Sequence, residues 1–113
     1  MNFIREKNIY GATHDDGSFD VTFEGQRLMY EFRSQSLSHT LQVIVYEKDD
    51  NGIANYVRDI VIGMFEEIFN VYVESNTLFV RYISSNHVHD MQMSINCNEQ
   101  INVQHKDTFS FTI

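Results

Sequence analysis

His87, His89 and Asp90 lie close together in the chain and are the first residues whose types could bind a metal ion. A His-x-His spacing on a strand would place both imidazoles on one face, but zinc needs three or four ligands. The three residues stand in a stretch rich in Ser and Asn, residues 84–90, which is typical of a polar loop. We interpret them as solvated loop residues, so the sequence predicts no metal and no cofactor.

Two acidic stretches, Asp15–Ser18 and Asp49–Gly52, supply clustered oxygen atoms that could hold calcium. Calcium requires six to eight oxygen ligands, and neither stretch has the spaced acidic pattern of a dedicated calcium loop. Asp, Asn and Gly are the residues that favour turns, because they tolerate left-handed backbone geometry. We therefore interpret both stretches as turns.

The only thiol is that of Cys97, which alternates in register with the apolar residues Met91, Met93 and Ile95. This pattern predicts a buried, unreactive cysteine on the core face of a strand. Glu66 and Glu67 are adjacent, so their carboxylates point apart, and no serine stands in a Gly-x-Ser-x-Gly elbow. Because no nucleophile, base and orienting group come together, we expect the protein not to be an enzyme.

The elements that carry these residues are predicted to be short antiparallel strands. Ile68–Ser84 has a period-two pattern rich in β-branched and aromatic residues on both sides of a turn at 74–77, and Asn51-Gly52 marks a second hairpin. Residues 53–69 are ambiguous, since their apolar spacing also suits a helix. We prefer a strand to about Ile62, followed by a helical turn or loop through residues 63–67.

The two ends of the chain complete the predicted strand set. Residues 1–10 could be an edge strand or an N-terminal arm, and Gly11–Ser18 has the composition of a loop. His105–Asp107 is predicted to be a turn, followed by a last strand carrying Phe109, Phe111 and Ile113. About seven to nine strands at this spacing indicate an all-β fold, a single antiparallel sandwich domain over residues 1–113.

Composition limits the classes of partner. The formal net charge is -8, from sixteen acidic and eight basic side chains, which disfavours nucleic acid and anionic membrane surfaces. A single cysteine favours a reducing compartment, and the first residues lack the apolar run of a signal peptide. We expect a cytoplasmic protein that is not secreted, or part of a particle assembled in the cytoplasm.

Three stretches resemble the strands of immunoglobulin-like domains: Gly17–Phe23, Arg58–Ile62 and Phe69–Val73. More narrowly, they are similar to the BACON-type sandwiches common in Bacteroidetes and their phages, although this chain has no tryptophan and no disulfide pair. The resemblance implies an immunoglobulin-like β-sandwich that binds or supports other proteins. The chain, read as a compact sandwich, also resembles the accessory and decoration subunits of tailed-phage virions.

The leading hypothesis is a structural or protein-docking module, and specifically an accessory or decoration subunit of a phage capsid whose partner is a larger protein assembly or a second copy. Tyrosine is enriched at protein interfaces, and several tyrosines exceed what a small core needs. Alternatives are a small acidic inhibitor that blocks a basic site on a host enzyme, and a metal- or carbohydrate-binding module. The candidate interface residues are Phe3, Ile4, Tyr46, Tyr56, Met64 and Phe65.

Overall fold

The computed structural model describes the backbone of residues 1–110 and the side chains of residues 1–105. Its regular structure consists of ten β-strands. In chain order they are β1 Asn2–Glu6, β2 Ile9–Thr13, β3 Phe19–Glu24, β4 Leu28–Gln35, β5 Thr40–Lys48, β6 Ala54–Met64, β7 Glu67–Glu74, β8 Thr77–Ser84, β9 His87–Ile95 and β10 Ile101–Ser110.

The strands form two antiparallel sheets. One has six strands in the order β1-β2-β3-β4-β5-β6, and the other has four in the order β10-β9-β8-β7. Phe65 and Glu66 carry the chain from the first sheet to the second. This all-β arrangement is compatible with the predicted β-sandwich, and it contains ten strands where about seven to nine were expected. In both sheets each described strand is hydrogen-bonded only to strands that precede or follow it directly in the sequence. Immunoglobulin domains instead use Greek-key connections, so this strand order does not support the immunoglobulin-like assignment.

The core lies between the inner faces of the two sheets. Phe23 and Phe32 meet edge to face there with ring centroids 5.1 Å apart, and Val80 and Met91 from the four-stranded sheet belong to the same buried cluster. Alternation along each strand brings these side chains to one face. Burial of a side chain of this size stabilises the fold by about 1.5–3 kcal/mol.

Tight turns join the strands, and the hairpin predicted over Ile68–Ser84 is confirmed. Ser75 and Asn76 both have positive φ, as the two-residue type I′ turn requires. The same geometry recurs at Ser85 and Asn86, so the polar loop predicted over residues 84–90 is wrong. It is a two-residue turn between β8 and β9 because these two residues already reverse the chain.

Several other local predictions are also corrected. The turn at Asn51-Gly52 and the strand preferred to about Ile62 are confirmed. The helical turn or loop predicted through residues 63–67 is wrong, because β6 continues to Met64, β7 begins at Glu67, and only two residues separate them. Strand β2 includes the first three residues, 11–13, of the loop predicted over Gly11–Ser18, because Gly11 allows close backbone approach to Val21 on β3. Strand β10 runs through the turn predicted at His105–Asp107, and it has a register shift after Asp107. Phe111 and Ile113 lie outside the described residues.

The prediction that Cys97 is buried is wrong, because its side chain is exposed. Strand β9 ends at Ile95, and the side chain of Asn96 accepts hydrogen bonds from the backbone N–H groups of Asn98 and Gln100, at 2.9 and 3.0 Å. In an Asx-type turn of this kind, backbone N–H groups bond to a side chain and not to a neighbouring strand. It lifts Cys97 out of the alternating register that the sequence suggested.

Candidate functional site

Strand β6 forms one free edge of the six-stranded sheet. Among the described strands it is hydrogen-bonded only to β5, and its eleven residues make it the longest strand. The β5–β6 register shifts twice, which leaves Val57 and Ile62 as extra residues on β6. An edge strand presents a row of backbone N–H and C=O groups that another chain can pair with.

Exposed apolar side chains are concentrated along this edge. Ten large hydrophobic side chains are exposed among those described, and five of them belong to β6 or to the residue before it. We call these five the β6 patch; their exposed fractions range from 50% for Val57 to 62% for Tyr56 and Met64. Its members are Ile53, Tyr56, Val57, Val61 and Met64. A concentration of exposed apolar side chains along a sheet edge is typical of a surface that another protein covers.

Tyr56 is held in place on the outer face of the sheet. Its ring packs edge to face on that of Tyr46, with centroids 6.5 Å apart, and its hydroxyl donates a hydrogen bond to Oδ1 of Asp59 at 2.9 Å. This hydrogen bond raises the pKa of the Tyr56 hydroxyl, since it favours the protonated form. The two rings therefore present a fixed aromatic surface beside the open backbone.

An open groove of about 540 Å³ runs between β6 and the beginning of β10. The two strands are not hydrogen-bonded, and Ile60 and Ile101 remain only partly buried beside the core. At the opposite edge of the same sheet, β1 lies against β7. The sandwich is therefore less covered along β6. The groove is lined by Leu28, Tyr30, Val45, Glu47, Val57, Arg58, Ile60, Gln100 and Ile101.

Acidic residues stand at both ends of β6. Glu47, Asp49 and Asp50 lie just before it, around the β5–β6 turn. At its other end, a cleft of about 400 Å³ is lined by polar and aromatic side chains and by four carboxylates, those of Asp15, Asp16, Glu66 and Glu67. The edge is thus apolar along its length and negatively charged at its ends.

The structure brings some of the predicted interface residues together and separates others. Tyr46, Tyr56 and Met64 lie along β5 and β6, on or beside the β6 patch. Ile4 and Phe65 pack against the core, and the Phe65 ring lies 5.6 Å from that of His39. Phe3 is 82% exposed, but it lies on β1 at the far edge of the sheet. The six residues do not form one surface.

The sequence interpretation missed Ile53, Val57 and Val61. Their signal is an apolar residue at every position of 60–62, with others before the charged pair at Arg58 and Asp59. Such a two-faced segment is usual in a strand covered on both faces. At a sheet edge the same pattern leaves apolar side chains exposed, and local sequence does not specify which strand is the edge.

The histidine pair is built differently from a metal site. His87 and His89 share a face with ring centroids 6.1 Å apart, and His89 stacks on the buried Tyr82 at 5.1 Å. Asp90 points to the other face, where both its oxygens accept hydrogen bonds from Arg81 at 2.8 and 3.0 Å. In the part of the chain that the structure describes, no group of three or more His, Cys, Asp or Glu residues is arranged to hold a metal ion.

The two acidic turns are stabilised by their own side chains. Asp49 Oδ1 accepts hydrogen bonds from the backbone N–H groups of Asn51 and Ile53, at 2.9 and 3.0 Å. Asp16 Oδ1 does the same for the backbone N–H and hydroxyl of Ser18, and these two bonds lower the pKa of Asp16. These contacts are those of Asx turns, as the sequence predicted.

Comparison with known proteins gives no relative from which a function could be inferred. No protein-family model, curated protein or solved structure matches it. Among residues 1–110, no helix is long and apolar enough to span a membrane. The feature that stands out in the described surface is the open, apolar edge along β6.

Proposed function

We propose that this protein is a non-enzymatic docking module that binds another protein by adding a strand of the partner to β6. The observation that carries this proposal is the combination of an unpaired eleven-residue edge with five exposed apolar side chains. In strand addition the backbone hydrogen bonds provide affinity, and pockets for alternate side chains provide specificity.

Docking at β6 would be energetically favourable because the free edge leaves apolar side chains and backbone groups exposed. A strand added beside β6 would cover parts of Val57 and Val61 and shield the partly buried Ile60. Each Å² of apolar surface removed from water contributes about 25 cal/mol. The added strand would also form hydrogen bonds with the backbone groups on the open side of β6 without disturbing the pairing of β5 with β6.

The assembly in which this docking occurs is the second part of the proposal. We propose an accessory or decoration role in a larger protein particle, of which a phage virion is the example suggested by the sequence resemblance. Its support is a small β-domain with an open edge along β6, an acidic composition, and candidate aromatic contacts at Tyr46 and Tyr56.

The decisive experiment measures the native mass of the protein and of the complex recovered from its source by light scattering. The wild type is compared with Val61→Lys, which places a charge in the β6 patch, and with Leu37→Lys as a control. Leu37 is 95% exposed in the turn between β4 and β5, and it lines neither the groove beside β6 nor the acidic cleft. We expect the wild type and Leu37→Lys to form the same complex and Val61→Lys to lose it. A stable monomer without a partner, or an unaffected Val61→Lys, would refute docking at β6.

A further inference from the structure

We infer that the segment which docks on β6 is an extended strand with apolar side chains facing the groove and basic residues at both of its ends. This inference rests on the proposed docking function and specifies the chemistry of the partner. It follows from two features of the edge, the largely apolar groove beside it and the carboxylates at its ends.

The groove determines the middle of the partner segment. A strand paired with β6 would direct every second side chain inward, at intervals of about 7 Å, into the space between β6 and β10. Ile60 and Ile101 line that space, together with Leu28 and Val45. Medium-sized apolar side chains would cover the partly buried Leu28, Ile60 and Ile101, so the inward positions of the partner are expected to be residues such as valine.

The acidic ends determine the charge of the partner's termini. Glu47 and Asp50 lie at the start of β6, Glu67 lies beyond its end, and none of the three makes a hydrogen bond or ion pair with the described side chains. Asp15 and Glu66 in the terminal cleft are already engaged, by the N-terminal amine and the Ser85 N–H. Lysine or arginine at the ends of the docked strand would complement the three carboxylates that are not engaged.

A second copy of this chain fits the edge poorly. If two copies paired antiparallel through β6, the acidic turn of one copy would meet the acidic cleft of the other at each end. Each copy also carries a formal net charge of -8. Like charges placed together across an interface oppose association, so the geometry favours a basic partner over self-association.

The test uses three fluorescent synthetic peptides of the same length as β6. The first alternates valine and threonine between pairs of lysines, the second replaces those lysines by glutamates, and the third keeps the lysines around a Gly/Ser centre. We expect the first peptide to bind at least tenfold more tightly than either of the others by fluorescence anisotropy. Its affinity should fall as salt is raised, because surface ion pairs are screened.

A double variant, Asp50→Asn with Glu67→Gln, tests the acidic ends directly. Both side chains are exposed and lack described partners, so the fold is expected to be unaffected. We expect the lysine-ended peptide to bind this variant about three- to tenfold more weakly. Glu74→Gln, at the exposed end of β7, is the matched control and should bind like the wild type.

The outcomes separate this inference from the proposed function. Equal binding of lysine- and glutamate-ended peptides, equal binding of the Gly/Ser-centred peptide, or binding of none would overturn the inference about the partner's chemistry. The docking function itself is judged by Val61→Lys against Leu37→Lys in the native complex. Loss of that complex in Val61→Lys would leave docking at β6 standing even where the peptide result is negative.

Discussion

The Tyr30 hydroxyl donates a hydrogen bond to the backbone carbonyl oxygen of Glu99 at 2.6 Å and so joins the two sheets. The Glu99 carboxylate in turn accepts hydrogen bonds from the backbone N–H groups of Arg27 and Leu28, at 3.0 and 3.3 Å. The turn between β9 and β10 is thereby fixed on the turn between β3 and β4. Because Tyr30 and Gln100 also line the groove beside β6, these contacts set the width of the groove at this end.

We expect Tyr30→Phe to lower the free energy of unfolding by about 1 kcal/mol, the usual contribution of one hydrogen bond. The aromatic ring would stay in the core, so the loss of stability measures the contribution of the hydroxyl group alone. Urea denaturation at neutral pH measures the effect. Tyr46→Phe is the matched control, since no hydrogen bond of the Tyr46 hydroxyl is described, and it should leave stability nearly unchanged. Equal effects in the two variants would show that the Tyr30–Glu99 contact contributes little.

The same turn predicts a dependence of stability on pH. Burial acts to raise the pKa of Glu99, but the backbone N–H groups of Arg27, Leu28 and Gln26 outweigh it, so the pKa is lowered in the folded protein. A carboxyl with a lowered folded pKa stabilises the fold above its unfolded pKa of about 4.3, and this stability is lost as the pH falls through the folded value.

Glu99→Gln should therefore be less stable than the wild type at pH 7, by about 1–2 kcal/mol, because a charge-assisted acceptor is removed. At acidic pH the two proteins should converge, since the wild-type carboxyl is then protonated. Urea midpoints measured between pH 7 and pH 3 would show this. A constant difference over that range would contradict a role for the Glu99 charge.

The sequence predicts the features of this architecture that depend on neighbouring residues better than those that depend on contacts between distant residues. The strand alternation and the hairpins at Asn51-Gly52 and Ser75-Asn76 were predictable, because periodicity and turn chemistry are local. The burial of Cys97 was predicted wrongly, since the Asx turn at Asn96 ends the strand earlier than the apolar alternation suggests.

The candidate site was predictable only in part, for a physical reason. Tyr46 and Tyr56 were identified from their side-chain type and Met64 from its place in a predicted loop, but Val57 and Val61 look like core residues in a segment that is apolar on both faces. Their exposure follows from the position of β6 at the sheet edge, which depends on the order of all six strands. Ile4 and Phe65 illustrate the converse, since packing of distant strands turns them toward the core.

Gly11 is a point at which the fold depends on the absence of a side chain. A Cβ atom there would collide with the backbone carbonyl of Asp20 and with Cα of Val21 on the neighbouring strand. We expect Gly11→Ala to lower the free energy of unfolding by more than about 2 kcal/mol, because backbone atoms must move. Thermal or urea unfolding measures the loss.

Gly52→Ala provides the comparison for Gly11→Ala. Its Cβ would meet no atom within 4 Å, although its φ of 77° would strain an alanine. That strain is expected to lower stability by only about 1 kcal/mol. If Gly11→Ala proved no more harmful than Gly52→Ala, the close approach of β2 to β3 would not be as the structure describes.

The last prediction concerns the thiol of Cys97, which the strand pattern assigns to the core and the structure places at the surface. An exposed thiol reacts with a maleimide or a disulfide reagent without prior unfolding, since reactivity depends on access as well as on the thiolate fraction. We expect one equivalent of label per chain in native buffer, at a rate within about tenfold of that in denaturant. Cys97→Ser should abolish labelling and, because no core contact is lost, change the free energy of unfolding by less than about 0.5 kcal/mol. Labelling that occurs only in denaturant would mean that β9 continues past Ile95 and that the turn at Asn96 does not form in solution.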